Sequence, residues 1–370
     1  MSIASKKPYY TINLSAVQAN YIDFFNAIRE YGRKDIIAYS IKANYDAQIL
    51  KTLVESGAHL EVCSGFEYDL AAKAAKTTEK IIINGFQPET DLFLQRLKDG
   101  AHVIIGSTHE LEYVKSIQHP IRLGLRLNLD YIKKGNRYFM KYSRFGVSPS
   151  DPALRDVLSN TNVHITCLQC HFAGNTRAPE IYYAIVKELC QVIKCLGMKD
   201  VKMIDIGGGY KVGNQFWEFS DYVREVVKAL HDSNYEQLTI IYEPGNSIVR
   251  NACSYHVSVI DVMQRDGFRD ILVNGTKYHC GSGLRDLAHS IRIENKATRS
   301  ACKEVQRITG CTCKESDIIC ELVDFPEIQK DDKLLISDLG AYTINEIPLF
   351  LLQAPERYYV YDTAKNEHAL

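Results

Sequence analysis

From about residue 35 to residue 245, short apolar runs alternate with amphipathic stretches. Parallel strands joined by crossover helices produce this pattern. The predicted strands are Ile36 to Ile41, His59 to Val62, Lys80 to Ile83, His102 to Ile105, Ile121 to Leu127, His164 to Phe172, Val201 to Ile206 and Leu238 to Tyr242. Between them, stretches such as Glu180 to Cys195 and Asp221 to His231 repeat apolar residues at intervals of three and four, as helices do. Eight strands of this kind predict a closed parallel (β/α)8 barrel. After Glu243 the texture changes to alternating β-branched segments, Tyr255 to Ile260 and Ile271 to Val273, with turns at Asp266-Gly267 and Asn274-Gly275. That alternation predicts an antiparallel β domain. One early run, Tyr9 to Leu14, can join it. The expected class is α/β plus β, with a barrel over residues 30–245 and a β domain built from 1–29 and 246–370.

Composition narrows the function classes. A formal net charge of -1 and the absence of long basic runs argue against a nucleic-acid partner. Met1 to Lys7 lacks the apolar core of a signal peptide, and no apolar run has membrane-spanning length, so a soluble cytoplasmic protein with no membrane partner is expected. Eleven cysteines show no regular framework, which makes disulfides improbable in a reducing compartment. Cys167-Leu168-Gln169-Cys170-His171 matches a haem-attachment spacing, yet no export signal accompanies it and a strand would send the two thiols to opposite faces. No second cysteine pair completes a zinc site, so no metal is expected.

In a parallel barrel the chemistry lies at the carboxyl ends of the strands. Lys42, Glu61, His171, Gly207 to Gly209 and Glu243 all fall there. Singly, each has an ordinary reading: a solvated lysine, a rim glutamate, a core histidine, a tight turn. Together they form a chemical set. Burial beside apolar neighbours would lower the pKa of Lys42 and free a neutral amine for Schiff-base formation. Gly207-Gly208-Gly209 lets backbone amides approach an anion, and without a following Lys-Ser or Lys-Thr it suits one phosphate better than a nucleotide. Glu243 could hold a protonated ring nitrogen, and His171 could stack on an aromatic cofactor.

The segments Tyr39-Ser40-Ile41-Lys42-Ala43-Asn44, Cys170-His171-Phe172, Asp205 to Tyr210, Glu243-Pro244-Gly245, Gly310 to Cys313 with Ser316-Asp317, and Gly340-Ala341-Tyr342-Thr343 occur in one order along nearly the whole chain. This set resembles the alanine-racemase-type (fold type III) decarboxylases that include diaminopimelate and ornithine decarboxylases. The resemblance implies pyridoxal 5'-phosphate held on Lys42, with His171 stacked on its ring and Glu243 on its nitrogen. Gly207, Gly208, Gly209, Gly245, Asn246 and Tyr342 would surround the phosphate, and Glu61 would be an acid near the cofactor. It also implies a homodimer with shared active sites, in which Cys313 crosses the interface and returns a proton to the substrate carbanion.

Several positions depart from that family. Lys314 stands where an acid usually follows the cysteine, and Val273-Asn274-Gly275-Thr276 lacks the aspartate that grips a distal amine. Asn246 replaces a usual arginine, and Gly174 a usual serine. Loss of two acids and gain of a lysine favour a substrate with a modified or non-cationic distal end, of the kind met in natural-product tailoring, over ornithine, lysine or diaminopimelate. Lys133, Lys134, Arg137, Lys141 and Arg144 could meet such a substrate. Two further readings stay open: a racemase on the same barrel, and a regulatory homologue without catalysis.

Overall fold

A computed structural model describes residues 7–86, 90–129, 143–172, 174, 177–213, 216–281, 287–294 and 299–361. The chain opens with strand β1 (Tyr9–Asn13) and helix α1 (Leu14–Glu30). It then alternates β2 (Ile36–Ser40), α2 (Ala47–Glu55), β3 (His59–Val62), α3 (Gly65–Ala75), β4 (Ile81–Asn84), α4 (Thr90–Lys98), β5 (His102–Ile105), α5 (Thr108–Val114), β6 (Ile121–Arg126), α6 (Pro152–Ser159), β7 (Val163–Gln169), α7 (Pro179–Leu196), β8 (Met203–Asp205), α8 (Phe219–His231) and β9 (Thr239–Tyr242). Strands β2 to β9 pair in sequence order into a closed parallel barrel. Closure comes from Ile36 and Ile37 of β2 pairing with Ile241 and Tyr242 of β9. Parallel strands covered on both faces read as continuous apolar runs, and β4, Ile-Ile-Ile-Asn, is buried throughout.

The barrel interior holds Ala38, Ile82, Ile104, Cys167 and Ile241, with Ile36 and Met203 packed against them. Cys167 is therefore a core residue. Gly124 of β6 makes room for this layer, since a Cβ there would stand 2.8 Å from Ile104 Cγ1 and 3.4 Å from Cys167 Cβ. The outer helices carry their own start and stop signals. Helix α7 begins with Pro179, ends at Gly197 with φ of 61°, and buries Ile181, Tyr182, Ile185, Leu189 and Ile193. Helix α8 starts in a reciprocal capping box between Glu218 and Asp221.

The chain divides into two compact units, Gln18–Ile248 and Met1–Val17 with Val249–Leu370. Helix α1 belongs to the barrel unit from Gln18 onward. The reason is packing: Phe24 of α1 stacks on Phe219 at 4.2 Å between centroids and meets Tyr242 edge-on. A short helix α9 (Asn246–Val249) leads out of the barrel.

The second unit contains β10 (Cys253–Gln264), β11 (Phe268–Val273), β12 (Ile291–Ile293), β13 (Val305–Thr309), β14 (Ile318–Leu322), β15 (Lys333–Ile336) and β16 (Glu356–Val360), joined by β1. The expected hairpin at Asp266-Gly267 joins β10 to β11, with Gly267 at φ of 79°. The sheet is mixed, not antiparallel throughout. Strand β1 runs parallel to β16, and β11 runs parallel to β13. Between β11 and β13 the chain leaves to place β12 beside β15, and so returns to β11 in the same direction.

Gly124→Ala should destabilise the barrel by about 1–3 kcal/mol through overpacking against Ile104. A lowered urea midpoint would show this, and an unchanged midpoint would show that the layer has room to spare.

Candidate active site

Lys42 lies in a single 3-10 turn, Ile41–Ala43, directly after β2. Its Nζ pairs with Glu61 Oε2 and lies 3.5 Å from Cys63 Sγ, and the thiol donates to Glu61 Oε1 at 3.1 Å. Glu61, near the end of β3, has a side chain only 1% exposed, whereas that of Lys42 is 39% exposed at the barrel mouth. The start of α3 fixes this corner. Ser64 Oγ accepts from the Glu67 amide at 3.2 Å, and Glu67 Oε2 accepts from the Cys63 amide at 2.7 Å.

The expected fall in the pKa of Lys42 is overturned. Burial pulls the ammonium down, but the charge and hydrogen bond of Glu61, with a further contribution from Glu243, outweigh it, so the lysine is held above its ordinary value. Burial acts to raise Glu61, and Lys42 draws it below the usual carboxyl range. The apolar run before Lys42 does not surround its amine; a carboxylate does.

Glu243 follows β9 and accepts from Asn84 Nδ2 at 3.0 Å. Arg126 Nη1 in turn donates to Asn84 Oδ1 at 3.4 Å. Asp205, ending β8, accepts from the Gly207 amide at 2.8 Å through Oδ1, while its buried Oδ2 has no hydrogen-bond partner among the described residues. Burial, then the charge of Glu243, pushes Asp205 well above the usual carboxyl range. Burial and the charge of Glu61 raise Glu243 as well. A buried carboxyl with raised proton affinity suits a proton shared with a ring nitrogen.

The turn Gly207-Gly208-Gly209 has no space for side chains. Gly207 and Gly209 lie at φ of 69° and 96°, and a Cβ on Gly208 would overlap the Glu243 carbonyl. Tyr210 Oη donates to the Gly207 carbonyl at 2.6 Å and Tyr182 Oη to that of Gly208 at 2.9 Å, which freezes the loop. The Gly208 amide donates to His171 Nδ1 at 3.2 Å. The amides of Gly209 and Tyr210 have no partner among the described residues. Burial, then Arg126, Arg177 and Lys42, depress His171 to about 3, so its ring is neutral at physiological pH. His171 stands two residues beyond β7, pressed against Gly207, where a Cβ would lie 2.9 Å from that of His171.

An electrophilic cofactor carrying a ring nitrogen and one phosphate fits these residues. Lys42 offers the amine, Glu243 the nitrogen partner, His171 a neutral aromatic face and the glycine turn an anion cradle. Gly245 belongs to the same rim, and a Cβ there would meet Ala43 Cβ at 3.1 Å. Asn246 is exposed at the start of α9. At position 174 a Cβ would overlap the Phe172 ring, so a serine there would need that ring to move.

Arg144 is exposed over Phe145, 4.5 Å from its centroid, and Arg126 lies 4.6 Å from the same ring. Lys133, Lys134, Arg137 and Lys141 lie outside the described residues. Cys313, Lys314 and Tyr342 belong to the β unit. Cys313 and Lys314 are exposed, and Tyr342 adopts φ of 53°. Sequence reasoning missed Cys63, Asn84, Arg126, Arg177 and Asp205. Asn84, Arg126 and Asp205 end their strands, so the rule that selected Glu61 could have found them.

Comparison with known proteins agrees with this geometry. Residues 15–250 match the family described as pyridoxal-dependent decarboxylase, pyridoxal binding domain. Diaminopimelate decarboxylase of Helicobacter pylori is 25% identical over 91% of this chain and 86% of its own. The chloroplastic ornithine decarboxylase of Nicotiana glauca is 24% identical over 91% and 80%. Two solved structures share the fold. Helicobacter pylori diaminopimelate decarboxylase complexed with L-lysine has a TM-score of 0.79 at 23% identity, covering 97% of this chain and 92% of that one. Arginine decarboxylase of Paramecium bursaria Chlorella virus bound to agmatine has a TM-score of 0.81 at 20% identity, covering 96% and 98%. With a match that includes the lysine, histidine, glycine turn and glutamate of one barrel rim, the chain belongs to the pyridoxal-dependent decarboxylases, carboxy-lyases that use pyridoxal 5'-phosphate.

Proposed function

We propose that this decarboxylase removes the α-carboxylate of an amino acid whose distal end carries no free ammonium, such as an anionic or amide-linked side chain, and that it acts as a homodimer. The observation that carries this reading is the charge of the segment around Cys313. Lys314 Nζ lies 4.2 Å from the centroid of Phe350 and 5.2 Å from that of Tyr278, with Lys277 Nζ 5.5 Å from the Tyr278 ring. Of the two acids that follow Lys314, Glu315 is exposed and Asp317 is engaged, accepting from Thr276 Oγ1, the Lys277 amide and both donors of Thr312. Asn274 stands in place of an aspartate, and its Oδ1 accepts from the Ser258 amide at 2.9 Å. A cationic amine would find two lysines here.

Bound pyridoxal phosphate supplies an electron-withdrawing ring that accepts the electrons left on the α-carbon when carbon dioxide departs. Lys42 would hold it through Nζ. Glu61, already paired with that nitrogen, holds the amine at the barrel mouth where it would meet the cofactor. Glu243, oriented by Asn84, would hold the ring nitrogen. Neutral His171 presents an aromatic face without adding positive charge. Cys313, reaching in from the other subunit, would return a proton to the α-carbon after decarboxylation.

Carbon dioxide release across a substrate panel tests the distal-end reading. Ornithine, lysine and diaminopimelate should turn over poorly beside amino acids with amide-linked or anionic side chains, and brisk release from any of the three would overturn it. The same assay separates decarboxylation from racemisation. Shared sites make a second prediction. Lys42→Ala should abolish turnover, and Cys313→Ala should reduce it about 10²–10⁴-fold without loss of cofactor binding. Mixing the two inactive variants should recover partial activity; no recovery after confirmed subunit exchange would refute a shared site.

A further inference from the structure

We infer that Arg177 supplies the cation for the cofactor phosphate that position 246 lacks, an assignment that rests on the glycine turn being the phosphate cradle. The guanidinium closes on Gly209: a Cβ at that glycine would stand 2.7 Å from Arg177 Cζ and 3.2 Å from Nε. Nη1 donates to the Phe172 carbonyl, and Tyr222 Oη donates to the Arg177 carbonyl at 2.8 Å. Both ends of the residue are therefore fixed just before Pro179 opens α7. The arrangement places a rigid planar donor beside the amides of Gly209 and Tyr210.

Charge is the second observation. Arg177 is half-buried, and no carboxylate pairs with it among the described residues. A guanidinium withdrawn from water without a counter-charge costs stability, and a bound dianion offsets that cost. The group carries five N–H donors, so its bond to Phe172 leaves others for phosphate oxygens. Its charge is felt at His171 and Tyr182, the two side chains that flank the glycine turn. Meanwhile Asn246 replaces the arginine expected after Glu243-Pro244-Gly245, and Gly174 the expected serine. Two phosphate contacts are missing, and one new cation stands beside the same turn.

The competing role for Arg177 is a latch that only ties the loop after β7 to Gly209. Titration of the full-length apoprotein with pyridoxal phosphate and with pyridoxal, followed by absorbance, separates the two. Arg177→Met keeps the aliphatic bulk and removes the charge. It should weaken pyridoxal phosphate about 10- to 100-fold and leave pyridoxal unchanged. Adding Asn246→Arg to that variant should restore most of the loss. Equal weakening of both ligands would reduce Arg177 to a latch, and unchanged affinity for pyridoxal phosphate would refute the inference outright. A wild-type protein with no preference for the phosphorylated ligand would instead overturn the phosphate cradle itself, an outcome visible before any variant is made.

Discussion

Strand β2 carries Lys42 just beyond its end and strand β9 carries Glu243 just beyond its own, two hundred positions apart in the chain. They reach one rim because β2 and β9 close the barrel. The seam continues past the strands: the Ser40 amide donates to the Pro244 carbonyl at 3.0 Å and Ser40 Oγ to that of Glu243 at 3.2 Å. Gly245 permits this approach, since any larger residue would press on Ala43 and Ser40. A substitution that opened the seam would separate the amine from the carboxyl without touching either.

The rim gathers three buried carboxyls, Glu61, Asp205 and Glu243, around the cation of Lys42. Three acids cannot all ionise there at low cost. The protein settles this by dividing them. Glu61 takes the ion pair and is drawn below the usual carboxyl range, while burial and the neighbouring acids raise Asp205 and Glu243. All three are buried, so the contact with Lys42 makes the difference, and it sets which acid can serve which end of a cofactor.

Much of this was legible in the chain. His59–Val62 and His102–Ile105 occur as predicted, because strands covered on both faces announce themselves as unbroken apolar runs. Strand ends also located Lys42, Glu61, Gly207 and Glu243. The parallel pairings of β11 with β13 and of β1 with β16 were not legible, since alternation records which face is buried and not the direction of the neighbour. The protonation of Lys42 was misjudged for a similar reason: local apolar sequence says nothing about Glu61 arriving from the next strand. Arg177 lies on a loop with no periodicity, so only geometry could place it against Gly209.

Strand β1 is paired on one side with β10 and on the other with β16. On a ribosome, β1 emerges before the whole barrel, β10 only after it, and β16 later still. One edge of β1 must therefore stay open until β10 has been made and the other until β16 has, while the barrel strands find their partners among near neighbours in the chain. The time for which each edge stays open has a lower bound in the synthesis of the segments between the partners.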